Sequence, residues 1–387
     1  MKIAMVVPDN RDEFRRYSDP EPYFGQAPTA LLSGLEAMPE CEVHIVCCVQ
    51  RPLRSPPKLA SNIFFHSLLV PKWGWMRGAY LGCIRAIRRK LREIKPDIVH
   101  GQGTERYSAL AAACSGFPNV LTIHGNMRLV AKVNHAPPFS FQWLAARLET
   151  FTLPRSDGIV CITSYTQRAV APLARATWIV PNAVDASFFV IEPQPVLPRE
   201  ILCVAHISIR KNQVRLVRAL APLAEKENFK VLFYGGADRK DTYVREFFQL
   251  LEKNPWCHFA GFADRAALRA AFARATMLVL PSLEDNCPMC VLEAMAAGLP
   301  VASASVGGVP DLITPGIEGI LFDPLSEQAM RDAVQNLLTD KVMAARLASR
   351  AKEKAMQCFH PLKIAEKHVA IYGQVLSRAP AQRAGPG

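Results

Sequence analysis

Short β-branched runs alternate with longer helix-patterned stretches along nearly the whole chain, in two series parted by a proline-rich break. The first series holds "KIAMVV" (Lys2–Val7), "EVHIVCCV" (Glu42–Val49), "DIVHGQ" (Asp97–Gln102), "NVLTIHG" (Asn119–Gly125) and "GIVCIT" (Gly158–Thr163). Runs that are apolar along most of their length read as strands buried on both faces, as in parallel sheets. Helical patterns lie between them near Ala27–Ala37, Met76–Ile94, Tyr107–Cys114 and Phe141–Leu153. Repeated strand–helix–strand units predict an α/β fold with doubly wound parallel sheets. The segment "IVPNAVDASFFVIEPQPVLP" (Ile179–Pro198) holds four prolines and few periodic residues, and reads as a linker. A second series follows: Glu200–Ile207, Lys230–Gly236, Cys257–Phe262, Thr276–Ser282, Leu299–Ser305 and Gly319–Pro324. A chain of 387 residues is comfortable for two domains. The expected division is a Rossmann-like domain over 1–184 and a second over 185–360. A C-terminal helix over 361–378 would pack back toward the first domain, ahead of a disordered tail, 379–387.

Half the residues are hydrophobic, yet no run approaches the roughly 20 apolar residues of a membrane span. The N-terminal apolar run stops at Pro8, too short for a signal-peptide core, so the expected location is cytoplasmic. Eleven scattered cysteines predict buried thiols rather than a disulfide framework. The net charge of +12 is uneven. Lys72–Lys95 holds eight Lys/Arg against one Glu, a net of +7. On a helix, Tyr80, Ile84, Ile87, Leu91 and Ile94 form an apolar stripe, with Arg85, Arg88, Arg89, Arg92 and Lys95 largely off it. This is a surface helix packed on a sheet, and its basic face suits peripheral contact with an anionic membrane, with Trp73 and Trp75 near the headgroups. Nucleic acid is not an expected partner, because no helix-turn-helix, zinc-finger or RNA-binding signature accompanies the charge.

The stretch "SLEDNCPMCVLEAMAAGLPV" (Ser282–Val301) sets two carboxylates, Asp285 and Glu293, around an apolar run. Pro288 fits the first turn of a helix and Gly298 its end. Asp285 then lies at the carboxyl end of a parallel strand, where open α/β sheets bind ligands. Asn286 to Cys290 would present backbone N–H groups at the helix N-terminus, an anion site. Carboxylates beside phosphate should face something else, and sugar hydroxyls fit because a carboxylate only accepts. "AHISIRKNQ" (Ala205–Gln213) supplies positive charge after the first strand of the same domain, through Arg210 and Lys211, with His206 nearby. If the two loops converge, they form a nucleotide-sugar pocket.

These residues resemble the glycosyltransferases of the GT-B fold, family four. That family carries an acidic residue, seven others, then Glu before Ala-Met-Ala-x-Gly-x-Pro-Val; here the stretch reads "DNCPMCVLEAMAAGLPV". Its Arg…Lys element resembles "HISIRK", its Pro-Asn-Gly-Val-Asp hinge "PNAVD" (Pro181–Asp185), its Thr-x-His-Gly strand end "TIHG" (Thr122–Gly125), and its Gly-Gly-x-Pro-Glu element "GGVPD" (Gly307–Asp311). The resemblance implies two domains facing each other across a cleft, the first binding acceptor and the second the nucleotide-sugar donor. It implies that Glu293 holds the ribose hydroxyls, that Asp285 faces the donor sugar, and that Lys211, with Arg210, neutralises the departing diphosphate. His124 would reach the donor sugar from the first domain, and Gly25 would let backbone approach phosphate or acceptor. Packing beside the donor phosphate is the expectation for Cys290. The reaction would retain anomeric configuration and need no metal or other cofactor. The acceptor would be a saccharide or a lipid-linked saccharide, in surface polysaccharide or glycoconjugate synthesis. Asp285 stands where Glu is usual, His206 where Arg is usual, Ala183 for the hinge Gly, and Asp311 for Glu.

Alternatives stay open. A nucleotide-sugar epimerase or hydrolase, or a non-catalytic binder, would share the fold. A nicotinamide enzyme would need G-x-G-x-x-G after its first strand, and "KIAMVVPDNRDEF" has none. Cys287 and Cys290 form a CxxC, which invites a redox or zinc reading without a second such pair. His124, His100 and His206 could each be structural.

Overall fold

A computed structural model describes residues 1–12 and 16–383. The chain divides into two compact units, one of residues 1–183 together with the chain from Pro361 onward, the other of Val184–His360. In the first, β1 (Lys2–Val6), β2 (Glu42–Val49), β3 (Lys58–Ala60), β4 (Ile63–Leu69), β5 (Ile98–Gln102), β6 (Asn119–Ile123), β7 (Gly158–Cys161) and β8 (Thr177–Ile179) form one sheet in the order β3-β4-β2-β1-β5-β6-β7-β8. Every pairing is parallel except β3 with β4. β3, β4 and β8 extend the five expected strands. β1 is buried along Ile3–Val6, which is why that stretch is apolar without alternation.

The helix Pro361–Arg383 belongs to this unit. It packs on the helix Gln26–Glu36, placing Ile364, Ala365, Ile371, Tyr372 and Val375 in the core. The approach is close: a Cβ on Gly34 would lie 2.1 Å from the Pro361 carbonyl oxygen. The helix runs past the expected end at 378, and 384–387 of the expected tail lie outside the described residues.

The basic helix, Leu81–Ile94, buries Cys83, Ile84, Ile87, Leu91 and Ile94, and its arginines at 85, 88, 89 and 92 are exposed. Trp75 is not where the membrane expectation put it, near the headgroups. It is buried, donates its indole N–H to the Val70 carbonyl at 3.0 Å, and stacks edge-on against Tyr80 and Tyr107. Trp73 is 71% exposed.

In the second unit, β9 (Arg199–Val204), β10 (Phe229–Tyr234), β11 (Cys257–Gly261), β12 (Met277–Leu280), β13 (Val301–Ala304) and β14 (Ile320–Phe322) form an all-parallel sheet ordered β11-β10-β9-β12-β13-β14. The proline-rich stretch leading into it is not loose chain. Phe188 is fully buried and meets Phe272 edge-on, with ring centroids 5.3 Å apart. The N–H groups of Gln194 and Val196 donate to the carbonyls of Ala273 and Arg274. Its aromatic and aliphatic residues anchor a segment whose prolines suggested a linker.

Candidate active site

β9 and β12 are neighbours, but the chain leaves them in opposite directions: β10 lies on the far side of β9, and β13 on the far side of β12. Such a switch point opens a crevice at the carboxyl ends of the two strands. The basic turn and the acidic loop both sit there. After β9, Ile209–Lys211 makes one tight turn, and Asn212 follows at φ +60°, a left-handed conformation that asparagine tolerates. The buried Asn212 amide donates to the carbonyls of Pro281 (3.1 Å) and Pro324 (3.0 Å). The Leu283 N–H donates to the Arg210 carbonyl at 2.7 Å. Two turns 74 residues apart in sequence are thus fastened by a backbone hydrogen bond and an asparagine side chain before any charge is considered.

The side chains complete the junction. Lys211 Nζ pairs with the Asp285 carboxylate, which also accepts from Ser282 Oγ at 3.2 Å. Both partners of the ion pair are largely shielded, so it is held more firmly than a surface pair. Arg210 meets Glu284 at 3.1 Å on the exposed rim, where such a contact is worth little. The Asp285 carbonyl accepts from the Gly308 N–H at 3.0 Å. Gly307, at φ +54°, lies so close that a Cβ would fall 1.9 Å from that carbonyl oxygen. Only glycine fits there, which gives "GGVPD" its physical reason.

The helix Met289–Ala297 starts behind this loop and stops at Gly298, at φ +75°. Cys290 through Ala297 are all buried, so Glu293 is a lone charged side chain in an otherwise apolar, enclosed helix, with 1% of it exposed. A buried carboxylate needs a partner. Arg265, at the start of the helix Arg265–Arg274, supplies it at 2.5 Å and also reaches Asp185 at 3.4 Å. The guanidinium lies 4.5 Å from the Phe188 ring centre. Burial pushes the Glu293 carboxyl up to about 7, and Arg265 pulls the other way. A carboxyl poised near neutrality in a crevice is a functional signal.

Cys290 lies among these groups: burial pushes its thiol up, against the pull of Lys211 and with help from Asp285 and Glu293. A thiol held protonated is the opposite of the activated thiolate that redox chemistry requires, and Cys287 and Cys290 are both buried and unbridged. Asn286 is half-buried in the loop, between Asp285 and Cys287. His206 is exposed; its carbonyl accepts from the Gln213 amide at 3.1 Å, and its ring lies over Gly236, where a Cβ would be 2.8 Å from Nδ1.

The other candidates belong to the first unit. Gly25, at φ +87°, sits at the N-terminus of the helix Gln26–Glu36. His124 follows β6; its ring meets the Gln102 Oε1 at 2.8 Å through Nε2 and the Asn182 amide at 3.2 Å through Nδ1. Burial lowers it to about 4, so the imidazole is neutral near pH 7. His100 is wholly buried between the Tyr372 hydroxyl (2.6 Å) and the Thr122 hydroxyl (2.7 Å), so it is a core histidine rather than a ligand-facing one. This sheet also has a switch point, between β1 and β5. A cavity of about 310 Å³ includes Asp12, Gln50 and Arg106, which follow β1, β2 and β5, with Tyr17, Tyr80 and Phe141 among its walls.

Arg265, Asp185 and Ser282 escaped the sequence reading as site residues. The available signal was Glu293 itself, since a carboxylate in so apolar a helix demands a cation. The sequence offered many arginines and no spacing rule to choose among them.

The family described as Glycosyltransferase Family 4 matches residues 29–188, and that described as Glycosyl transferases group 1 matches 187–354. The chain is a family-4 glycosyltransferase of the GT-B fold. It is 28% identical over 172 residues to an uncharacterized glycosyltransferase of Methanocaldococcus jannaschii, covering 44% of each chain. It is 30% identical over 197 residues to a D-inositol 3-phosphate glycosyltransferase of Xylanimonas cellulosilytica, covering 49% of this chain and 45% of that one. It is 26% identical over 337 residues to the 2-deoxystreptamine glucosyltransferase of Streptomyces kanamyceticus, covering 80% of this chain and 84% of that one. The matches thus span less than half the length of the first two relatives and most of the third. Among solved structures, sucrose-phosphate synthase from Thermosynechococcus elongatus has a TM-score of 0.77 at 18% identity, covering 97% of this chain and 99% of that one. Anabaena HepE in complex with UDP-glucose has a TM-score of 0.69 at 16% identity, covering 97% and 100%. At these identities the likeness is one of fold.

Proposed function

We propose that this glycosyltransferase moves a sugar, with retention of configuration, from a nucleoside-diphosphate sugar to a saccharide or lipid-linked acceptor in polysaccharide or glycoconjugate synthesis. The observation that carries the reading is the junction of Lys211, Asp285 and the enclosed Glu293 at the β9/β12 switch point. That HepE was solved with UDP-glucose supports a nucleotide-sugar donor. Glu293 accepts the ribose hydroxyls and Asp285 the sugar hydroxyls. Lys211, Arg210 and the amides beginning the helix Met289–Ala297 balance charge as the glycosidic bond breaks, so no metal is required. Asn286, Cys290 and His206 lie about the diphosphate, and Gly25 permits close backbone approach. His124, neutral and oriented by Gln102, meets the sugar. The cavity at the β1/β5 switch point takes the acceptor.

Incubating the protein with radiolabelled UDP-, GDP- and ADP-sugars and a panel of saccharide and lipid-linked acceptors tests this. A new glycoside with the donor's anomeric configuration is the expected product. Free sugar or an epimer as the only product would instead reveal a hydrolase or epimerase, and binding without turnover a carrier.

No helix among the described residues is long and apolar enough to cross a membrane. The exposed Arg85, Arg88 and Arg92 beside exposed Trp73 support peripheral attachment to anionic lipid. Each basic residue near such a surface contributes about 1 kcal/mol, so replacing all three arginines by alanine should weaken partition roughly 100-fold. Co-sedimentation with phosphatidylserine vesicles at low salt measures this. If the parent protein stays in the supernatant, the attachment is wrong.

A further inference from the structure

Arg265 is placed to do more than neutralise a buried charge. Its guanidinium spans two carboxylates, Glu293 at 2.5 Å and Asp185 at 3.4 Å, and lies on the Phe188 ring. Phe188 is packed edge-on against Phe272, which lies about two turns further along the same helix as Arg265. Asp264 caps that helix by accepting from the Ala267 N–H at 2.8 Å, which fixes where Arg265 begins. Asp185 is itself held, accepting from the Ser187 N–H at 2.9 Å. The guanidinium is therefore backed by an aromatic ring and divided between two carboxylates, with Nη1 on Glu293 and Nη2 on Asp185. A guanidinium held on both sides in this way fixes where its Nη1 stands, and so where the Glu293 oxygen that it binds must lie.

We propose that Arg265 is the positioning residue of the donor site, fixing the orientation and the charge of Glu293, and that Asp185 tunes it by competing for the same guanidinium. This rests on the reading that Glu293 binds the nucleotide ribose. The charged groups acting on Glu293 are Arg265, which favours its ionised form, and Asp185, which opposes it; on its own helix the neighbouring titratable group is Cys290. The ribose hydroxyls need an acceptor, which the ionised carboxylate provides in full. Donor affinity should then rise with pH as Glu293 deprotonates.

The proposal makes predictions of opposite sign. Removing the cation in Arg265→Gln takes away the stabilisation of the carboxylate, so the midpoint of the affinity-versus-pH curve moves up, by about one unit or more. Removing the competing charge in Asp185→Asn keeps an oxygen to cap Ser187 and moves the midpoint down. Arg265→Lys keeps the charge but loses the rigid fork that spans Glu293 and Asp185: its midpoint stays near that of the parent, while affinity falls at every pH because the Glu293 oxygen is no longer held in one place. The experiment is calorimetric titration of the full-length protein with whichever of UDP, GDP and ADP binds tightest, between pH 5.5 and 9. Shifts in opposite directions for Arg265→Gln and Asp185→Asn support the proposal. Unshifted midpoints in both, alongside weakened binding by Glu293→Gln, overturn it and leave the donor-site reading standing. Normal binding by Glu293→Gln, or no binding of any of the three nucleotides by the parent, overturns both.

Discussion

Replacing Glu293 by alanine is expected to weaken nucleotide-sugar binding at least about 100-fold, because two hydrogen bonds to a charged acceptor are lost and each is worth roughly 1.5–3 kcal/mol. The protein should nonetheless remain folded. Glu293 has a folded-state pKa raised to about 7 from 4.5, with burial as the main cause. A carboxyl with a raised pKa binds more protons folded than unfolded between those values. It therefore subtracts stability progressively as pH climbs from 4.5 to 7, and by the full amount above 7. That amount is on the order of 3 kcal/mol. Glu293→Gln, nearly isosteric and uncharged, should accordingly raise the melting temperature above pH 7 while losing donor affinity. Lower stability in the parent, spent at one residue and recovered by neutralising it, is the signature of a group kept for function. Paired melting curves and titrations at pH 8 check it. A Glu293→Gln variant that melts lower and binds normally would make the residue a structural one.

Lys211→Ala should lower the single-turnover rate by roughly 100- to 1,000-fold with a smaller change in donor affinity, since charge on the leaving diphosphate grows as the bond breaks. The same change leaves the shielded Asp285 carboxylate with only Ser282 as a side-chain partner among the contacts described above, so some loss of stability is expected. The two effects separate in the double variant Lys211→Ala/Asp285→Ala. Stability should return toward that of the parent because no orphaned charge remains, whereas the rate should stay low. Recovery of the rate with stability would mean that Lys211 serves only to hold the loop.

Much of this architecture was legible because parallel strands buried on both faces write themselves as unbroken apolar runs. β9, β12 and β13 were readable in this way, as were β1, β2, β5, β6 and β7 of the first sheet, whereas β10 and β11 alternate buried with more open residues and were found from their place in the strand–helix repeat. β3, β4 and β8 were not: β4 alternates buried and half-buried residues over Ile63–His66 and carries the polar His66 and Ser67, and β3 and β8 are three-residue edge strands. Among site residues, Asp285 and Lys211 could be placed at strand ends from the punctuation of Pro281, Pro288 and Gly298. Their direct pairing could not, because it depends on the adjacency of β9 and β12, which is a property of strand order rather than of either segment. Trp75 and His100 show the limit from the other side. Each has a polar atom that suggested an interface or a ligand, and each satisfies it inside the first unit, on the Val70 carbonyl and on Tyr372 and Thr122. Local sequence shows that a polar group exists, and only the fold shows where its hydrogen bond goes.

The most direct measurement is a crystal structure of the protein with its tightest-binding nucleoside diphosphate. The diphosphate should lie within hydrogen-bond distance of Lys211 Nζ and the first amides of the helix Met289–Ala297, with both ribose hydroxyls on the Glu293 carboxylate. A nucleotide seated elsewhere, or one at this crevice with its ribose turned away from Glu293, would contradict the donor site built on the β9/β12 junction.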